Sequence, residues 1–269
     1  MNSVMSTTPN LTLTAAQAGP NNDTWPYVPL DPKQGLILFL IALPGTLANV
    51  VAFITTWKLI RVQAVAPNYL ILALNFTDFY GICFCTLPTL LCYLFKDWVG
   101  GDTMCNYQGV STIFASLGSG IFATVMAVDR LLAVWKPFVY KKHVTVQKTM
   151  IIVVVTWILA LFIAVLPLAG VGDYVRNLTG TYCTVNWFAE STADRFYSVF
   201  YAVLGILLVI VVVLCNIRIG ISLYQMKRKR LRLHGFAAAD KNRNQPNENI
   251  TSQKNEMQLV KSIGAISVN

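Results

Sequence analysis

A helix needs about 20 consecutive, mostly apolar residues to cross the ~30 Å hydrocarbon layer of a bilayer. This chain meets that length five times, over Gly35 to Trp57, Tyr69 to Phe95, Gly109 to Trp135, Thr149 to Ala169 and Phe196 to Leu223. A sixth apolar stretch begins at Gln258 and runs to Asn269, reaching about 18 Å at the helical rise. Only 12% of the residues are charged, about half the share usual in soluble domains, so the bilayer is the expected solvent. The expected fold is an all-α membrane protein with five complete transmembrane helices and the start of a sixth, inside which the chain ends.

Residues 1–34 form a polar N-terminal tail with no apolar core before Leu36, so no cleavable signal peptide is expected. The first span then serves as its own insertion signal. Residues 35–223 hold spans one to five with their loops, residues 224–257 a third inner segment, and residues 258–269 the start of the sixth span. That inner segment opens with the run Lys227-Arg228-Lys229-Arg230. From His234 to Lys254 it turns polar and Asn-rich, and is expected to be disordered.

A net charge of +9 raises the question of a nucleic-acid partner, which the placement of the charges answers. With the N-terminus outside, the outer segments hold four basic residues (Lys33, Lys96, Arg176, Arg195) against seven acids, and the other 17 lie in the inner segments or toward the inner ends of spans. This is the positive-inside bias of a multi-pass membrane protein, and no nucleic acid is implied. Asn-X-Ser/Thr acceptors at Asn10, Asn22 and Asn177 fall on the same outer side, as glycosylation requires. The matching strings at Asn75 and Asn249 lie in a span and an inner segment, where they would be inaccessible.

Polar residues inside the spans are the candidate functional groups. Four of the six cysteines, Cys83, Cys85, Cys92 and Cys215, lie within spans and act as small apolar fillers. Cys105, at the outer mouth of the third span, and Cys183, in the loop after the fourth, lie on the oxidising side, so a Cys105–Cys183 disulfide is expected. Asp78 is the one carboxyl at mid-depth in a span, where a charge is costly; it should face inward, with Asn49 of the first span as its available partner. Asp129-Arg130 closes the third span, and a carboxylate that holds and releases the arginine fork makes a two-state latch. Only two histidines occur, both on the inner side, and no phosphate loop or nucleophile motif is present. No enzyme, no metal and no cofactor are implied.

These spacings resemble the rhodopsin-like receptors. Asn49 stands as their first-span Asn; Asn68 and Asp78, ten apart, match the second-span pattern; Trp98 stands seven before Cys105, Arg130 stands 25 after it, and Trp157 takes the fourth-span Trp position. Within that class the chain is similar to the prostanoid receptors, through MAVDRLLAVWKPFVYKKHVT (Met126 to Thr145), LPLAGVGDY (Leu166 to Tyr174), GTYC (Gly180 to Cys183), and a fifth span without its usual Pro. NEMQLVKSIGAI (Asn255 to Ile266) is similar to the start of their sixth span. The second-span Ser/Thr-Pro step is displaced by one residue into Thr86-Leu87-Pro88, Tyr182 stands in place of an outer-loop Trp, and Ala48 replaces a Gly.

The resemblance implies a heptahelical G-protein-coupled receptor in the plasma membrane, with its N-terminus extracellular. Its ligand would be a prostanoid lipid of the prostaglandin E type, whose carboxylate is held by Tyr93, Thr181 and an arginine in a seventh span. It further implies activation of a heterotrimeric G protein, of the stimulatory kind, on a surface formed by Arg130, Lys227, Arg228, Lys229 and Arg230. The alternative is a truncated, non-signalling membrane isoform that only associates with a longer receptor. Without that seventh-span arginine, residues 1–269 alone are expected to reach the membrane without binding prostanoid tightly.

Overall fold

A computed structural model describes residues 31–177 and 180–244, and the side chains of Arg230 and residues 232–244 are not described. Five helical stretches are long and apolar enough to cross a membrane. Helix α1 covers Pro32–Val62; its N-cap Asp31 accepts from the Lys33 N–H, and Pro32 stands where a helix has no use for the N–H it lacks. Gly35 and Thr56 are its only buried residues, because most of its surface meets no other helix. Leu36, Ile41 and Val51 are more than half exposed, a distribution that suits hydrocarbon rather than water.

The second span is α2 (Ala66–Tyr80), a π-helical turn (Gly81–Cys85) and α3 (Thr86–Phe95) in one continuous rod. Pro88 has no N–H to return to the carbonyl four residues back, and its ring crowds that turn. A π turn takes up one extra residue. It lies directly before Thr86-Leu87-Pro88, where the proline step is displaced by one position.

Helix α4 (Gly101–Trp135) runs through the centre, touching α2, α6 (Val146–Val165), α7 (Thr192–Asn244) and a two-stranded hairpin. The short helix α5 (Pro137–His143) joins α4 to α6. Two clusters fill the interior. One joins Ile113 and Leu117 of α4 to Ala160, Ile163 and Ala164 of α6 and to Tyr197 of α7. The other groups Leu70, Ala73, Phe122 and Val153 around Trp157, whose indole N–H donates to Thr77 Oγ1 at 3.0 Å. Gly118 permits this approach, since a Cβ there would stand 2.9 Å from Thr77 Cγ2.

Helix α7 continues well past Leu223, and the backbone stays helical to Asn244. The expectation of disorder from His234 therefore fails over that part. Residues 224–244 are dominated by strong helix formers and include no proline, so the helix leaving the last apolar turn continues despite Gly235, which costs it about 1 kcal/mol. The sixth-span stretch lies outside the described residues.

Candidate functional site

The hairpin β1 (Tyr174–Arg176) and β2 (Cys183–Val185) pairs Tyr174 with Val185 and Arg176 with Cys183. It lies against α4 and is fastened there by the Cys105–Cys183 disulfide, which spans 78 residues of sequence. The expected pairing is therefore present. Gly109 allows the hairpin to sit this close, because a Cβ there would stand 2.4 Å from the Tyr174 ring.

Two tyrosines fasten the hairpin end to α6 through a backbone defect. The last turn of α6 passes into a 3-10 turn (Leu166–Ala169), and Pro167 has no N–H for the Ile163 carbonyl four residues back. Tyr197 donates to Ile163 O at 3.0 Å, and Tyr174 to the neighbouring Ala164 O at 2.7 Å. Burial pushes the Tyr174 phenol above its usual range, so it remains a donor. The Ile163 carbonyl also accepts from the Leu166 N–H, so the Tyr197 hydroxyl serves its second lone pair.

Gln108, which the sequence did not single out, joins three elements. It is 1% exposed; its amide nitrogen donates to Cys85 O and to Thr89 Oγ1, both at 2.9 Å, and its oxygen accepts from Cys183 N–H at 2.8 Å. The hairpin is thereby tied to the π turn of the second span. Its only signal in the sequence was a polar residue three positions after Cys105, in a stretch that also holds Asn106, Ser111 and Thr112. Gln108→Leu should lower stability by about 2–3 kcal/mol, because the Cys183 N–H and the Cys85 carbonyl both lose their partners. In a thermal melt of detergent-solubilised protein this appears as a drop of roughly 5–10 °C; an unchanged midpoint would contradict the clasp.

Tyr93 and Thr181, expected to hold a carboxylate, both lie at the disulfide end. Tyr93 donates to Gln34 Oε1 of α1 at 3.2 Å, and its side chain packs on Gly35, where a Cβ would stand 2.7 Å from Tyr93 Cβ and 3.0 Å from its ring. Thr181 lies two residues before the disulfide and is 2% exposed. Below them an apolar groove of about 660 Å³ opens between α4 and α7, lined by Leu117, Gly120, Gly205 and Leu208. The hydroxyls of Ser116 and Tyr201, 2.9 Å apart, supply its polar edge. Asn177 leads into the hairpin turn, where its carbonyl accepts from the Gly180 N–H at 2.7 Å; Asn10 and Asn22 lie outside the described residues.

Two expected pairings are replaced. Asp78 accepts from Ser119 Oγ of α4, the helix that faces it, whereas Asn49 on α1 is half-buried and makes no hydrogen bond to it. Asp129 forms no ion pair with Arg130 among the described residues; its Oδ2 accepts from the Tyr140 hydroxyl of α5 at 3.3 Å. Adjacent residues of a helix point about 100° apart, so the two side chains diverge. Burial, and then the charge of Asp129, raise the Tyr140 phenol, which stays a donor. Arg130, Lys227, Arg228 and Lys229 are exposed at the end opposite the disulfide, and Arg230 follows in the same helix.

Residues 48–269 match the sequence profile of the seven-transmembrane receptors of the rhodopsin family. The chain belongs to that family; it is a multi-pass membrane protein and not an enzyme. Among curated proteins it is similar to the prostaglandin E2 receptor EP4 subtype of Homo sapiens, 27% identical over 189 residues that make 70% of this chain and 39% of the relative. It is similar also to the prostaglandin F2-alpha receptor of Homo sapiens, 30% identical over 174 residues, 62% of this chain and 48% of the relative. The chain thus spans less than half the length of these relatives. Squid rhodopsin shares the fold, with a TM-score of 0.67 at 17% identity over 80% of this chain and 63% of that one.

Proposed function

We propose that this chain belongs to a prostanoid receptor that signals through a heterotrimeric G protein of the stimulatory kind. The hairpin end is outside, with glycans on Asn10, Asn22 and Asn177. The carboxylate of a prostaglandin E-like lipid is received by the hydroxyls of Tyr93 and Thr181, and its hydrocarbon lies in the groove between α4 and α7. Arg130 and the basic foot of α7 meet the G protein. The ligand acts by shifting an equilibrium between two arrangements of the helices, by no more than its difference in affinity for them. In that equilibrium the links from Asp78 to Ser119 and from Asp129 to Tyr140 are the candidate switch contacts, together with Asn49 of the first span.

The observation that supports this reading is the apolar groove beneath a disulfide-fastened hairpin that carries a buried threonine, in a chain similar to receptors named for prostaglandins E2 and F2-alpha. A carboxylate entering such a site loses hydration, which donors fixed beforehand partly replace. Tyr93→Phe and Thr181→Ala each remove one neutral donor and should weaken binding of tritiated prostaglandin E2 about tenfold. Saturation binding on membranes expressing a full-length receptor that contains this chain is the measurement. Two variants that bind like wild type would remove Tyr93 and Thr181 from the site, and absence of saturable binding by wild type would end the prostanoid reading.

A further inference from the structure

We propose that a groove at the head of α7 binds the headgroup of a phosphatidylcholine molecule from the leaflet at the disulfide end. The groove holds about 440 Å³ between α7 and the loop that follows the hairpin, and its walls include Trp187, Phe188, Glu190, Arg195, Val199 and Ala202. It is a built feature. The Ser198 hydroxyl, 5% exposed, lies 2.6 Å from Asn186 O and 3.0 Å from Asp194 O, which staples the loop to the helix. Asn186 Oδ1 in turn accepts from the Phe188 N–H at 3.1 Å, and the Trp187 ring rests 6.2 Å from that of Tyr201.

The walls carry both signs of charge, yet Glu190 and Arg195 form no ion pair among the described residues. Directly below, Phe196 and Val199 are 65% and 56% exposed, the start of the apolar wall that α7 turns toward lipid. A ligand that satisfies this surface is an amphiphile with a phosphate for the Arg195 guanidinium, a cation for Glu190 and the Trp187 face, and a chain to run down past Val199 and Ala202. A phosphocholine headgroup on acyl chains has those parts in that order. A fatty acid lacks the cation, and an anionic lipid sets its charge against Glu190.

The test uses the purified chain in detergent, titrated with dioleoylphosphatidylcholine or dioleoylphosphatidylglycerol, with retained lipid counted by native mass spectrometry. One phosphatidylcholine adduct should saturate ahead of any phosphatidylglycerol adduct. Arg195→Gln and Glu190→Gln should each weaken it about tenfold, the loss of one charge-assisted contact, and Glu190→Gln should also narrow the preference over phosphatidylglycerol. A thermal midpoint equal to wild type shows that each variant is folded. Equal adducts of the two lipids, a phosphatidylcholine adduct that neither substitution weakens, or a loss confined to Arg195→Gln would each overturn the assignment.

Discussion

Cys105→Ser, Cys183→Ser and the double variant should all lose stability by the same large amount, up to about 4–5 kcal/mol. That figure follows from the chain entropy of opening a loop of 78 residues, and membrane insertion, which already restricts the unfolded chain, makes it an upper limit. Packing adds to the loss. With the bridge open, the Cys183 N–H is free to leave Gln108, and the hairpin loses the covalent tie that holds Tyr174 over Gly109. Because the thiols contribute as one bond, the double variant should match either single one rather than sum them. Thermal unfolding of the solubilised protein, with and without reductant, is the measurement. A midpoint unmoved by both substitution and reduction would show that the noncovalent contacts of the hairpin suffice.

Arg130→Ala should abolish G-protein activation while leaving ligand binding measurable. Arg130 is exposed at the foot of α4, and Asp129 is turned toward Tyr140, so the five guanidinium donors are not held by the adjacent carboxylate. On docking, those donors would meet carbonyls or carboxylates of the partner in a site closed to water, where truncating one charged member costs roughly 2–5 kcal/mol. That is on the order of 100-fold or more in the coupled state. Arg130→Lys keeps the charge but not the planar fork, and should fall between the two. Nucleotide exchange on the G protein, measured beside ligand binding at matched surface expression, decides it. Retained exchange in Arg130→Ala would remove the residue from this role.

The spans and the disulfide were legible in the sequence because each depends on quantities local to a segment. An apolar run such as Thr149 to Ala169 meets the bilayer whatever its neighbours are, and its length alone tells whether it can cross. Cys105 and Cys183 were readable because the depth of each cysteine follows from its place in its own span or loop. Pro88 and Pro167 marked where carbonyls would lose their donors, but not which groups would replace them.

Those replacements belong to the tertiary structure. Gln108 reaches Cys183 across 75 positions, Trp157 reaches Thr77 across 80, and Ser119 reaches Asp78 across 41, and nothing in the flanking residues announces any of these partners. The sequence-based choice of Asn49 for Asp78 followed from the few polar residues within spans, and that of Arg130 for Asp129 from adjacency. Helix packing decided otherwise, since side-chain direction on a helix is set by the 100° step and by which helix faces it. What the sequence by itself determined is therefore which segments lie in the membrane and which cysteines can pair. Which buried polar groups satisfy one another was decided only when α4 took its place at the centre, because burial leaves an unpaired donor or acceptor no water to turn to.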